Sequence, residues 1–165
     1  MDAAPKLDLP PPFDEALRSH EREIMRFILR TTGDRDDALD LFQETWLRAY
    51  RSYQQLDSAA GLRPWLYRIA SNLCLNRKRD RARRSRVIAD DEIREERAGV
   101  SAAGHDDVLH LKAIIGRLPE KQRQALTMRK FGGLEYGEIA TALGCSEEAA
   151  RAGVYLALKK LKAAE

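Results

Sequence analysis

Phe13, Leu17, Ile24, Phe27 and Ile28 fall three, four or seven positions apart, the spacing of one helical face, and Gly33 offers that helix a stop. Asp34 is placed to cap a second helix whose inward stripe is Ala38, Leu41, Phe42, Thr45, Trp46 and Ala49, with Asp36, Asp37, Asp40, Glu44 and Arg48 outward. The run LDSAAG, Leu56 to Gly61, breaks the pattern, and Pro64 then suits the first turn of a third helix with Trp65, Leu66, Ile69 and Leu73 on its core face. Together these predict a three-helix bundle over 13–85. From Arg86 to His105 the periodicity fails, acids crowd together at Asp90, Asp91, Glu92, Glu95 and Glu96, and AGVSAAG follows, which reads as a flexible, solvated linker. Residues 106–165 resume helical spacing in four segments punctuated by Pro119, the Gly132–Gly133 pair and Gly144. No run alternates with the period of a strand, so the expectation is an all-α chain of two small helical domains, preceded by a proline-rich, poorly ordered tail over 1–12.

Composition adds limits. A length of 165 residues with 44% hydrophobic content can bury two small cores, and the net charge of +3 averages over separate acidic and basic blocks. No apolar leader or membrane-length run occurs, so a cytoplasmic protein without membrane insertion is expected. Cys74 and Cys145 are far apart, each inside an apolar helical pattern, and read as buried thiols rather than a disulfide or metal pair. His105 and His110, five apart, would not share a helical face. No phosphate-binding glycine loop or nucleophile motif is present, so the expectation includes no catalytic residue, metal, cofactor or small-molecule substrate.

Two blocks carry candidate chemistry. LEYGEIATALGCSEEAARAGVYLALKKLK has the layout of a helix-turn-helix: Ile139, Ala140 and Leu143 inward, Gly144 at the turn and Ser146 as N-cap of the next helix. On that last helix Ala150, Val154, Ala157 and Leu161 point inward, while Glu148, Arg151, Tyr155, Lys159 and Lys162 share the opposite face. Such a face suits a major groove, Arg151 donating to guanine, Glu148 accepting from cytosine and the others holding phosphates; an ordinary helical hairpin with a solvated face is the alternative. The second block, GLRPWLYRIASNLCLNRKRDRARR, sets Arg63, Tyr67 and Arg68 as candidates for exposure before a dense arginine run. Rings beside a basic groove fit unpaired DNA, whose bases stack while arginines track phosphates. The alternative is a core tryptophan beside a solvated helix end.

The two blocks, separated by an acidic linker, resemble the bacterial sigma factors of the sigma-70 family, in particular the extracytoplasmic-function (ECF) group. DALDLFQETWLRAYRSY is similar to regions 2.1 and 2.2, GLRPWLYRIASNLCLNRKR to regions 2.3 and 2.4, and RLPEKQRQALTMRKFGGLEYGEIATALGCSEEAARAGVYLALKKL to region 4. The resemblance implies a protein that binds core RNA polymerase and promoter DNA and is restrained by an anti-sigma factor. It places Arg63, Tyr67, Arg68, Asn72, Asn76, Arg77 and Arg79 near the −10 strand, with the LDSAAG loop at the family's pocket for a flipped base. Ser146, Glu148, Arg151, Tyr155, Lys159 and Lys162 would meet the −35 element, and Asp37, Asp40, Gln43, Glu44 and Arg48 the polymerase. The recognition helix departs from many family members in being less basic, with Ala152, Gly153, Leu156 and Leu158, so weak autonomous −35 binding is expected. Two other readings stay open: a regulator binding duplex operators through its helix-turn-helix, and a sigma-like mimic that engages a sigma-binding protein.

Overall fold

The computed structural model describes residues 8–88 and 106–163, and among these every regular element is helical. The first lobe contains α1 (Phe13–Thr32), α2 (Arg35–Ser52) and α3 (Leu62–Ile88), with a single 3-10 turn at Tyr53–Gln55. Asp14 and Glu15 sit in the first turn of α1, where they complement the exposed N–H groups, and Gly33 ends the helix at φ 70° with its own N–H on the Leu29 carbonyl. The Asp34 carboxylate then accepts from the Asp37 N–H at 2.9 Å and starts α2, as its position suggests. Ile24, Phe27 and Ile28 of α1, Ala38, Leu41, Trp46 and Ala49 of α2, and Leu62, Leu66, Ala70 and Leu73 of α3 form the bundle core.

The second lobe contains α4 (Asp106–Arg117), α5 (Glu120–Lys130), α6 (Tyr136–Leu143) and α7 (Glu147–Lys162). Its core is Leu118, Ala125, Leu126, Met128, Leu134, Ile139, Ala142, Ala150, Val154 and Ala157. The lobes are not held apart: α6 packs along α3 and α5 along α1, so the two cores merge into one buried cluster.

Three expectations change. Asp8 to Pro12 is docked rather than loose, because the Ala59 and Ala60 N–H groups donate to Asp8 and the Tyr53 hydroxyl donates to the Pro11 carbonyl at 2.6 Å. Helix α3 continues to Ile88, three residues into the segment read as linker, while 89–105 and 1–7 lie outside the described residues. Cys74 is buried as expected, but Cys145 is only half-buried, since it follows the turn glycine at the rim of α6.

Candidate nucleic-acid interface

The helix-turn-helix is built by local chemistry. Glu135 and Glu138 close a reciprocal capping box at the start of α6, and Gly144 ends α6 at φ 62°, a left-handed conformation that favours glycine. The Ser146 hydroxyl oxygen accepts from the Ala149 N–H at 3.1 Å, which starts α7. Burial of Ala150, Val154 and Ala157 leaves Glu148, Arg151, Tyr155, Lys159 and Lys162 exposed on α7, with Ser146 exposed at its start. Arg151 does not float free. Its guanidinium lies 4.3 Å from the Tyr136 ring centroid and donates to Glu147, while Arg129 stacks near the same ring at 4.6 Å and donates to the Leu134 carbonyl.

On α3 the seven candidates divide between faces. Arg68, Asn72, Asn76 and Arg79 are exposed, spaced four, four and three apart, and therefore share one side of the helix. Tyr67, expected at the surface, is only 1% exposed, because α3 is covered on a second side by the other lobe. Its hydroxyl donates to Glu23 at 3.1 Å, its ring meets Phe27 edge-on, and burial pushes its ionisation well above the ordinary phenol value. Arg63 is drawn into the same seam, forking onto Glu23 at 3.0 Å, donating to the Gly132 carbonyl, and lying 3.7 Å from Glu138. Burial alone would raise the Glu23 carboxyl; hydrogen bonds from His20, Arg63 and Tyr67, with the Arg63 charge, outweigh it and hold Glu23 below the usual carboxylate range.

Farther along, the Ser71 hydroxyl donates to Gln124, itself 1% exposed, and Lys78 reaches Glu120 at 2.9 Å. Arg77 and Asp37 both depart from expectation, and for one reason. Asp37, expected on the outer face of α2, is buried where α2 meets α3, accepting from Arg77 at 2.7 Å and paired with Arg81. Of the remaining α2 candidates, Asp40, Gln43 and Arg48 are exposed, and Glu44 is half-buried and bonded to Arg48. Beside them stand Leu39, Leu47 and Tyr50, exposed apolar residues that the reading of charges passed over. They were visible in the sequence as apolar residues off the inward stripe. Among the described residues no three His, Cys, Asp or Glu side chains cluster as a metal site would require, and no helix is long and apolar enough to cross a membrane.

Both lobes coincide with known family regions. Residues 16–84 match the sigma-70 region 2 family model and residues 110–161 match sigma-70, region 4. The chain belongs to the sigma-70 family, in its ECF group. Similar proteins include the ECF RNA polymerase sigma factor SigM of Bacillus subtilis, 30% identical over 153 residues that cover 91% of this chain and 93% of the relative. The ECF RNA polymerase sigma factor SigE of Mycolicibacterium smegmatis is 32% identical over 157 residues, 92% of this chain but 61% of the relative. In fold, the chain is similar to the sigma factor RpoE solved in complex with the anti-sigma factor NepR from Bartonella quintana, with TM-score 0.75, 22% identity, and 92% and 95% of the two chains covered. The region 2 lobe therefore carries the exposed Arg68 to Arg79 face, and the region 4 lobe carries the capped helix-turn-helix.

Proposed function

We propose that this chain is a transcription initiation factor that binds core RNA polymerase in the cytoplasm and directs it to promoters with a −10 and a −35 element. The observation that carries the reading is the pairing of the two lobes: an exposed basic and amide face on α3 in region 2, and in region 4 a recognition helix whose Arg151 is held against Tyr136 at its solvent face.

In this reading α7 enters the major groove. Arg151 and Glu148 address base edges, while Tyr155, Lys159 and Lys162, with the hydroxyl at Ser146, hold the backbone. Arg68, Asn72, Asn76 and Arg79 track the −10 strand directly. Arg63, Tyr67 and Arg77 contribute only once their present partners release them, so strand capture by the first two requires α6 to leave α3. Asp40, Gln43, Glu44 and Arg48, joined by Leu39 and Leu47, form the polymerase-docking side of α2; Asp37 acts from beneath it, by bracing α2 on α3. A sigma-binding regulator that covers these faces completes the reading, supported by family membership and by the fold shared with a sigma factor solved beside its anti-sigma factor.

Transcription from a library of random promoters by purified core polymerase, with and without the chain, tests it. Discrete start sites that depend on the chain are expected. No chain-dependent transcript from a folded preparation overturns the reading. In the same assay Arg151→Ala should change which −35 sequences are recovered, and an unaltered set removes Arg151 from base contact.

A further inference from the structure

Arg18, Arg22, Arg26 and Arg30 stand at four-residue intervals along α1, and all four are exposed. Among the described residues Arg18, Arg22 and Arg26 have no ion-pair partner, whereas Arg30 lies over the Phe131 ring at 4.1 Å. The fold does not draw on the first three. The helix is anchored by Ala16, Ile24, Phe27, Ile28 and Thr31 on its other side, and like charges four residues apart work against helix formation. The row rises about 6 Å per rung and about 18 Å from first to last, winding obliquely around the helix. One strand of duplex DNA presents roughly five phosphates over that length. Arginine matches phosphate oxygens in a fork and stays charged at every relevant pH.

The row and the basic end of α3 succeed one another along the bundle axis. Helices α1 and α3 run parallel, since Glu23 faces Arg63 and Phe27 faces Tyr67 four residues on. The arginine row thus lies alongside the first half of α3, and the exposed basic end of α3, Arg79 to Arg86, continues in the same direction beyond the end of α1. No exposed aromatic ring stands among Arg18, Arg22 and Arg26, so this surface offers charge without a platform for unpaired bases.

We propose that the α1 arginine row is a second nucleic-acid surface, gripping the phosphate backbone of duplex DNA without reading its sequence. It goes beyond the promoter reading and does not depend on it. The full chain, without polymerase, is titrated against a random-sequence duplex across a salt series, beside the triple variant Arg18→Gln, Arg22→Gln, Arg26→Gln. Arg30 is left in place because it packs on Phe131. The slope of log affinity against log salt should become shallower by about two to three in the triple variant, near 0.9 for each phosphate that is no longer neutralised. The matching triple lysine variant should keep the wild-type slope. An unchanged slope in the glutamine variant overturns the proposal, as does a wild-type chain that binds no duplex at the lowest salt. Weaker binding of core polymerase with an unchanged slope would assign the row to an acidic protein face, and so also overturns it.

Discussion

At residue scale, Gly153 shows how a sequence expectation becomes a structural one. A glycine inside α7 weakens the helix, and a Cβ added there would meet only the Ala125 Cβ at an ordinary 3.7 Å. Gly153→Ala should therefore stabilise the protein by about 0.5–1 kcal/mol, read as a higher urea midpoint. The two cysteines should separate in their chemistry. Burial, with the nearby Glu120 carboxylate, pushes the Cys74 thiol up to about 12, so hardly any thiolate forms near neutral pH, whereas Cys145 is half-buried. Alkylation of the native protein at pH 8 should label Cys145 first and leave Cys74 unmodified until unfolding; equal rates at the two would contradict the packing. Tyr67 and Asp37 mark the limit of reading one residue at a time. Each looks polar and outward on a helical wheel, and each is buried by a partner from elsewhere in the chain, the second lobe for Tyr67 and Arg77 with Arg81 for Asp37.

At the scale of elements, the sequence was legible wherever one helix end or one face decides the outcome. Asp34, Ser146, Gly33 and Gly144 act within a turn of their own positions, so their roles follow from residue type alone. Ser146→Ala should cost about 1 kcal/mol and fray the first turn of α7, seen as faster amide exchange at Ala149, whose N–H it accepts. A variant with unaltered exchange there would show the cap to be idle. Helix α3 was harder to read because it is buried on two sides. Of the stripe expected on it, Leu66 and Leu73 are buried, with Leu62 and Ala70 beside them, whereas Trp65 and Ile69 are half-buried; Tyr67, Ser71 and Cys74, four and three apart, make a second stripe against α5 and α6. That second stripe mixes a phenol, a hydroxyl and a thiol, so no hydrophobic periodicity announced it. The exposed Arg68, Asn72, Asn76 and Arg79 occupy what is left, which is why only part of the basic block faces solvent.

At the scale of the whole molecule, the seam between the lobes was invisible in the sequence, because Glu23, Arg63, Gln124, Gly132 and Glu138 are brought together only by the fold. Gly132 is its tightest point: a Cβ there would fall 2.7 Å from Leu134, 2.8 Å from the Met128 carbonyl oxygen and 2.9 Å from the Tyr67 hydroxyl. Since the carbonyl cannot swing aside, Gly132→Ala should lower stability by about 1–3 kcal/mol and enlarge the radius of gyration measured by solution scattering. Acid should loosen the same seam. Glu23 titrates below its ordinary value of 4.5 in the folded chain, so its stabilising contribution is complete above about pH 4.5 and is lost as pH falls through the lowered folded value. The stability gap between the wild type and Glu23→Gln should accordingly shrink below pH 4.5 and stay constant above it, as followed by urea unfolding at each pH. One guanidinium, that of Arg63, is shared between the closed seam and the proposed −10 contact. Strand affinity then scales with the fraction of molecules already open: if one in a hundred is open, capture is roughly a hundredfold weaker than the bare contacts would give. Whatever holds the lobes apart raises that affinity without touching a nucleotide, and by reciprocity a captured strand tightens the grip of whatever holds them apart.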